Sequence, residues 1–201
     1  MASREPVVPE QPPRVARGGN AFTRWLGLTV LRLAGWQVKG CLPDREKLLV
    51  IAAPHTSNWD WVIALLSLWA MGLRMNYLIK DTALWWPASI LIRATGGIGV
   101  NRAEPAGIAD SLAQRIRDAD RIIMVITPEG TRSRVEQWKT GFLRIAAVSS
   151  LPVVQVAWDY PSRTVHVGPE AHLTGDTATD IAAIRQYYRQ FTGRNPENQS
   201  P

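Results

Sequence analysis

The chain has 201 residues and a mass of 22.3 kDa, which is enough for one domain with a substantial core and short for two. Its 23 Lys and Arg residues exceed its 17 Asp and Glu residues, and the formal net charge of +6 favours anionic partners: nucleic acid, phospholipid surfaces or phosphorylated small molecules. A single cysteine, Cys41, excludes an internal disulfide framework and a multi-cysteine metal site. Nine Trp against three Phe favour membrane surfaces among these partners, because Trp prefers the boundary between water and lipid; Trp residues that fill the core are the alternative.

The two ends of the chain are poor in structure-forming residues. Residues 1–19 carry charges and several prolines where a signal peptide needs an apolar segment, so we predict a disordered tail and no secretion signal. A second disordered tail is predicted over 193–201, with a single domain over 20–192 between them. The longest stretch without Asp, Glu, Lys or Arg, 145–158, is too short for a membrane span of roughly 20 residues. We therefore expect no transmembrane segment.

Residues 20–38 show the pattern of an amphipathic helix. One face carries Phe22, Trp25, Leu26, Leu33 and Trp36, and arginines lie on another face. Such a helix could lie in a membrane interface, or it could dock on the body of the domain. The pattern alone leaves both alternatives open.

From residue 47 onward, short apolar runs alternate with longer helical patterns. The predicted strands are Leu48–Ala53, Asn76–Ile79, Ile98–Asn101, Arg121–Ile126, Val153–Trp158 and Thr164–Val167. The predicted helices cover about 58–72, 83–94, 105–119, 138–149 and 177–192. This alternation indicates an α/β domain, with a mostly parallel mixed sheet flanked by helices and an N-terminal amphipathic helix. In such sheets ligands bind where strands end and helices begin.

The segment "HTSNWD" at 55–60 places a histidine directly after a predicted strand and an aspartate five residues later. Histidine can accept a proton from a hydroxyl and return it near neutral pH. If Asp60 accepts a hydrogen bond from one ring nitrogen of His55, it fixes the tautomer and stabilises the imidazolium. The structural alternative is a helix cap, because Ser57-x-x-Asp60 is close to a capping box. The two interpretations are compatible.

The segment "TPEGTRSR" at 127–134 also follows a predicted strand. Gly130 allows a turn in which the backbone approaches a ligand closely, and the arginine forks of Arg132 and Arg134 match phosphate geometry. The alternative is a surface turn in which Glu129 and Arg132 form a solvated ion pair.

The segment "GGIGVNR" at 96–102 has Arg102 where a dinucleotide-binding motif needs its third glycine, so a dinucleotide site is disfavoured and a loosely packed strand is the alternative. The sequence contains no G-x-S-x-G elbow, no P-loop and no H-E-x-x-H. Nucleic-acid binding is also disfavoured, because the basic residues are scattered and no reading motif occurs.

Taken in order, these clusters resemble the glycerolipid acyltransferase family, whose best-known members are 1-acyl-sn-glycerol-3-phosphate acyltransferases. The family's H-x-x-x-x-D motif is matched by His55 and Asp60. Its glycine-to-arginine motif, its F-P-E-G-T-R-S motif and its proline-led strand are matched in turn by Gly96–Arg102, Thr127–Ser133 and Leu151–Val156. The resemblance covers about residues 25–190.

The resemblance implies an O-acyltransferase of phospholipid biosynthesis. It would move a fatty acyl group from acyl-coenzyme A or acyl carrier protein to a lysophospholipid hydroxyl, with 1-acyl-sn-glycerol-3-phosphate as default acceptor and phosphatidic acid as product. His55 takes the role of general base and Asp60 orients it. The substrate-binding residues that the resemblance implies are Glu129, Gly130, Thr131, Arg132, Arg102 and Lys80. No metal and no cofactor beyond the acyl donor is implied.

Three positions depart from the family pattern: Thr127 stands in place of Phe, Asn101 in place of Asp, and Gln155 in place of a second Pro. These departures leave the His and Asp chemistry intact. They do affect the segments that would recognise the acceptor, so another lysophospholipid or a non-glycerol alcohol is an alternative acceptor. We expect a peripheral protein on the cytoplasmic face of the membrane, where it meets the lysophospholipid. The alternative function is a non-catalytic protein that binds anionic lipids, in which His55 and Asp60 only cap a helix.

Overall fold

The computed structural model describes residues 7–100 and 105–201, and over these ranges seven strands form one sheet. The strands are β1 (Gln37–Lys39), β2 (Lys47–Ala53), β3 (Asn76–Lys80), β4 (Gly97–Val100), β5 (Ile122–Ile126), β6 (Val153–Asp159) and β7 (Thr164–Glu170). The helices are α1 (Ala21–Ala34), α2 (Asn58–Met71), α3 (Ala88–Ala94), α4 (Pro105–Asp118), α5 (Gly141–Ser149) and α6 (Thr177–Tyr188). The strand order is β1-β7-β6-β2-β5-β3-β4, and every pair is parallel except β6 with β7. The predicted α/β class with a mostly parallel mixed sheet is confirmed.

Strand β2 lies at the centre of the sheet and is buried on both faces. Leu49 and Ile51 face a core that also includes apolar side chains of α4, α5 and α6. Leu48 and Val50 face the opposite core, which includes side chains of α1 and α2. Because successive side chains of a strand point to opposite faces, a run of uninterrupted apolar residues fits a strand between two layers of helices.

Helix α1 packs on α2 through small and aliphatic side chains. Gly27 and Leu31 are buried, and a Cβ at Gly27 would come within 2.6 Å of the Leu66 carbonyl oxygen on α2. The predicted apolar face points elsewhere, since Phe22 and Trp25 are 63% and 58% exposed. Docking on the domain body therefore uses a different stripe of the helix from the one that the pattern predicts.

The helix ends earlier than the pattern predicts. Gly35 adopts φ +72° as the C-cap, and Trp36 then turns inward and is buried. The next residues form β1, which pairs in parallel with β7 and which the sequence did not predict. A three-residue strand at the sheet edge is too short to show a recognisable pattern.

Residues 7–19 and 193–201, where the composition predicts disordered tails, contact the body of the domain at several points. Val15 and Ala16 are fully buried in the core that contains α1 and α2, and the Val7 carbonyl oxygen accepts a hydrogen bond from the Val38 N–H at 2.8 Å. At the other end, Asn195 donates to Thr56. Composition alone predicts disorder because it does not show that a few apolar residues, such as Val15 and Ala16, pack against the core of the domain.

The remaining predicted elements occur with shifted ends. The helix predicted over 83–94 is shortened to α3, with a 3-10 turn at Asp81–Ala83 before it, and the helix predicted from 138 begins at Gly141. The strand predicted over Ile98–Asn101 ends at Asn101, which lies outside the described residues. Over the described parts of the chain, none of the helices has the length and apolar character needed to cross a bilayer.

Candidate active site

Several polar segments meet at one edge of the sheet because the parallel strands end there. β2 leads into His55, and its neighbour β5 leads into the 127–134 segment, with Ile51 opposite Ile126 in register. β3 ends at the same edge with Lys80. This edge is where the topology of an α/β sheet favours a ligand site.

His55 and Asp60 are in direct contact. The His55 Nδ1 lies 3.0 Å from Asp60 Oδ2, and the His55 side chain is 16% exposed whereas that of Asp60 is fully buried. The main-chain N–H groups of Thr56 and Ser57 donate to the same oxygen, each at 2.9 Å. The other oxygen, Oδ1, accepts from the Tyr160 hydroxyl at 2.6 Å. A buried carboxylate is tolerated when its oxygens are satisfied in this way.

These contacts define which His55 nitrogen could act as a base. A carboxylate only accepts hydrogen bonds, so Nδ1 carries the proton and donates to Asp60. In the neutral imidazole the lone pair then lies on Nε2, which has no hydrogen-bond partner among the described residues. The arrangement can therefore take a proton from a hydroxyl presented to Nε2 and stabilise the resulting imidazolium.

The helix-cap interpretation of the same segment is confirmed. Ser57 is the N-cap of α2, its hydroxyl accepts from the Trp59 N–H at 3.2 Å, and Asp60 completes a capping box. The helix start thus fixes the carboxylate that orients His55. The two interpretations describe one arrangement.

Glu129 is buried and turns inward from the 127–134 loop. It is 3% exposed, and its Oε2 accepts a hydrogen bond from the His55 main-chain N–H at 2.7 Å. Its Oε1 has no hydrogen-bond partner among the described residues. The alternative of a solvated Glu129–Arg132 ion pair is therefore wrong. Removal from water raises the pKa of the Glu129 carboxyl to about 7, although the His55 N–H and the charge of His55 act against the rise and Asp60 adds to it.

Residues 131–134 of the loop are open to solvent. Gly130 has φ +68°, a left-handed backbone conformation that strains any other residue, so the turn favours glycine. Thr131 and Arg132 are exposed, and Arg132 forms no ion pair within the described residues. Lys139, which the sequence did not suggest, adds a second exposed cation beside the turn.

The structure brings some of the predicted site residues into contact and leaves others apart. His55 contacts both Asp60 and Glu129, and Gly130, Thr131 and Arg132 follow Glu129 on its loop. Lys80 is exposed at the same sheet edge and shows no bond to them in the described ranges. Arg102 lies outside the described residues.

Three further contacts at the site have no counterpart in the sequence motifs. Tyr160 reaches Asp60 from 100 residues further along the chain. Asn195 donates from its side-chain amide to the Thr56 carbonyl at 2.9 Å, and the Arg194 guanidinium lies 5.3 Å from the Trp59 ring centre. Only the fold brings these residues to the His55 loop, so neither spacing nor residue type could have indicated them.

The family model for Acyltransferase matches residues 37–159, so the chain belongs to this acyltransferase family. The crystal structure of the 1-acyl-sn-glycerophosphate (LPA) acyltransferase PlsC from Thermotoga maritima has a similar fold, with a TM-score of 0.57 and 16% sequence identity. That match covers 84% of this chain and 76% of the Thermotoga chain. No curated protein matches the sequence.

Proposed function

We propose that the protein transfers a fatty acyl group from acyl-coenzyme A or acyl carrier protein to the hydroxyl of a lysophospholipid, with 1-acyl-sn-glycerol-3-phosphate as acceptor. The single observation that carries the proposal is the His55 imidazole, held through Nδ1 by buried Asp60 and with Nε2 unpartnered among the described residues. Membership of the acyltransferase family and the PlsC-like fold agree with it.

The chemistry needs little more than this base and correct positioning. A thioester is already activated, so the acceptor hydroxyl attacks its carbonyl carbon while Nε2 of His55 takes the hydroxyl proton. The tetrahedral intermediate then collapses as its carbon–sulfur bond breaks, and the leaving thiolate takes the proton from the His55 imidazolium, which restores the neutral base. No covalent intermediate on the protein is required.

The acceptor phosphate is assigned to the exposed part of the 127–134 loop. Thr131 and Arg132 are exposed there, and an arginine fork suits a phosphate. Gly130 is proposed to shape the turn that presents them. Lys80 and Arg102 are proposed as further cations of this site. Glu129 is proposed to act differently, because a buried carboxyl that accepts from the His55 backbone is unsuited to hold an anion.

Membrane association follows from where lysophospholipids are found. Two patches of exposed apolar side chains support it: Phe22, Trp25 and Leu33 on α1, and Trp85, Trp86, Ile90 and Leu91 at α3. Exposed arginines lie near both, Arg24 and Arg32 on α1 and Arg93 on α3. Trp side chains in the interface and arginines at anionic headgroups are a common basis for peripheral binding. We propose the cytoplasmic face, where acyl donors are supplied.

The test is thiol release from acyl-coenzyme A and acyl carrier protein donors against a panel of lysophospholipids and non-glycerol alcohols. His55→Ala should lower kcat by roughly 10²–10⁴-fold, the usual scale for loss of a general base. His166→Ala, at a half-buried histidine of β7, is the matched control and should retain activity. A folded His55→Ala protein with full activity would refute the assignment of the base.

The acceptor assignment has its own experiment. Arg132→Ala should reduce kcat/KM for phosphorylated acceptors about 10-fold or more and leave neutral acceptors little changed, because only the former lose a charged contact. Equal losses on both classes would reject the phosphate role. Vesicle binding without transfer on any donor and acceptor pair would instead support the non-catalytic lipid-binding alternative.

A further inference from the structure

Tyr160 connects a distant part of the fold to the His55–Asp60 pair. It lies in the turn between β6 and β7, outside the four motif segments, and its hydroxyl donates to Asp60 Oδ1 at 2.6 Å. Asp60 Oδ2 is already occupied by the His55 ring and by two main-chain N–H groups. Among the described residues, Tyr160 is the one group that satisfies the second oxygen.

The Tyr160 ring is fixed from several sides. The Trp36 ring packs against it edge to face, with centres 5.0 Å apart and planes at 84°. The Tyr160 N–H donates to the Thr192 carbonyl at 3.0 Å, and the Thr192 N–H donates to Asp159 at 3.1 Å. The phenol is therefore held by the end of α1, by the β6–β7 turn and by the segment after α6. Such fixation is typical of a group whose orientation matters.

The protonation state of the phenol supports a donor role. Burial, the hydrogen bond to Asp60 and the Asp60 charge raise the pKa of Tyr160 well above its usual value, although the charge of Arg194 acts against them. The hydroxyl thus stays protonated across the pH range in which an acyltransferase would work, and its proton stays available to Asp60.

We propose that Tyr160 is a positioning residue that holds the Asp60 carboxylate in the plane that orients His55 and that moderates the negative charge of this carboxylate. This role rests on the proposed acyl transfer. Without the phenol, Oδ1 is left buried and unpaired, and the imidazolium becomes the best remaining partner for the carboxylate. The charged groups near Asp60 that enter this balance are His55, Glu129 and, through the phenol, Arg194.

The experiment compares Tyr160→Phe with wild type in a pH profile of kcat and KM for acyl transfer. We expect kcat at pH 7 to fall about 10-fold with KM within about twofold, because Tyr160 acts on the base and not on the substrate. We also expect the acidic limb of the profile to move to higher pH by about half a unit to one unit. Tyr187→Phe, which removes a phenol that makes no hydrogen bond in the described residues, is the control and should match wild type.

A spectroscopic reading separates this proposal from the proposed function. The downfield proton on His55 Nδ1, assigned by its loss in His55→Ala, should shift or broaden in Tyr160→Phe and stay in place in Tyr187→Phe. If wild type transfers no acyl group, the proposed function fails while this signal still decides the role of Tyr160. An unchanged signal, or an unchanged kcat and pH profile in an active protein, would overturn it.

A second variant covers the case in which Tyr160→Phe fails to fold. Replacement of Tyr160 with 3-fluorotyrosine keeps the ring and makes the phenol a stronger donor. The signal of the His55 Nδ1 proton should then shift in the direction opposite to the shift expected for loss of the bond from Tyr160 to Asp60. The acidic limb of the pH profile should move to lower pH. No change in either would reject the proposal.

Discussion

The buried carboxyl of Glu129 makes the stability of the protein depend on pH in a way that one substitution can remove. The pKa of this group rises from its ordinary value of 4.5 to about 7 because burial penalises the charged form. Below pH 4.5 the carboxyl is neutral in both the folded and the unfolded chain and costs nothing. Between pH 4.5 and 7 the unfolded chain ionises first, so the free energy of unfolding falls as the pH rises.

The size of the effect follows from the shift. One pKa unit corresponds to about 1.4 kcal/mol, so a pKa of about 7 in place of 4.5 costs roughly 3 kcal/mol above pH 7. Glu129→Gln resembles the neutral acid and can still accept from the His55 N–H. We therefore expect Glu129→Gln to gain about 2–3 kcal/mol over wild type as the pH rises from 5 to 8.

Equilibrium urea unfolding followed by Trp fluorescence, at half-unit pH steps, measures this difference. Because all other titrating groups are common to both proteins, their contributions largely cancel in the comparison. The control is Glu136→Gln, on an exposed side chain of the same loop, and its difference from wild type should stay constant. A Glu129→Gln difference that is equally constant between pH 5 and 8 would refute the reasoning.

Two structural predictions test contacts that support the site. Gly27→Ala should destabilise the fold by about 1–3 kcal/mol in thermal or urea unfolding, because the new Cβ would lie 2.6 Å from backbone of α2; Gly141→Ala, with nothing within 4 Å, should cost little, and equal losses would contradict the argument. Asn195→Ala should lower stability by about 0.5–1.5 kcal/mol and increase hydrogen exchange in the His55 loop, because the bond to the Thr56 carbonyl is lost. Asn198→Ala is the control for Asn195→Ala. If hydrogen exchange in the His55 loop rises no more in Asn195→Ala than in Asn198→Ala, the bond from Asn195 to Thr56 does not restrain this loop.

The layered sheet could be predicted from the sequence because the apolar composition of the central strands shows that they are buried. The run at β2 is apolar throughout, as a strand buried on both faces must be, and Ser57 with Asp60 marks the start of α2 by local hydrogen bonding alone. The contacts made by the two ends of the chain could not be predicted, for the opposite reason. Val15 and Asn195 are ordered by distant partners, which local composition does not encode.

The candidate site shows the same division. His55 and Asp60 are five residues apart, and a strand followed by a helix brings them into contact, so their pairing is visible in the sequence. Glu129 was also identified, but its expected role depended on which way its side chain points, and the buried contact with the His55 backbone differs from an anion-binding role. Tyr160 could not be identified at all, because its contact with Asp60 depends on the β6–β7 turn.

The arrangement also explains how one loop can be both rigid and reactive. Asp60 fixes His55 at the ring, Glu129 fixes it at the main chain, and Thr56 between them is bound by Asn195. Three separate parts of the fold therefore restrain His55, while Nε2 stays unpartnered among the described residues. In the proposed acyl transfer, a base held in this way does not have to reorganise when a hydroxyl arrives, and that preorganisation is the main contribution a protein can make when the acyl donor is already activated.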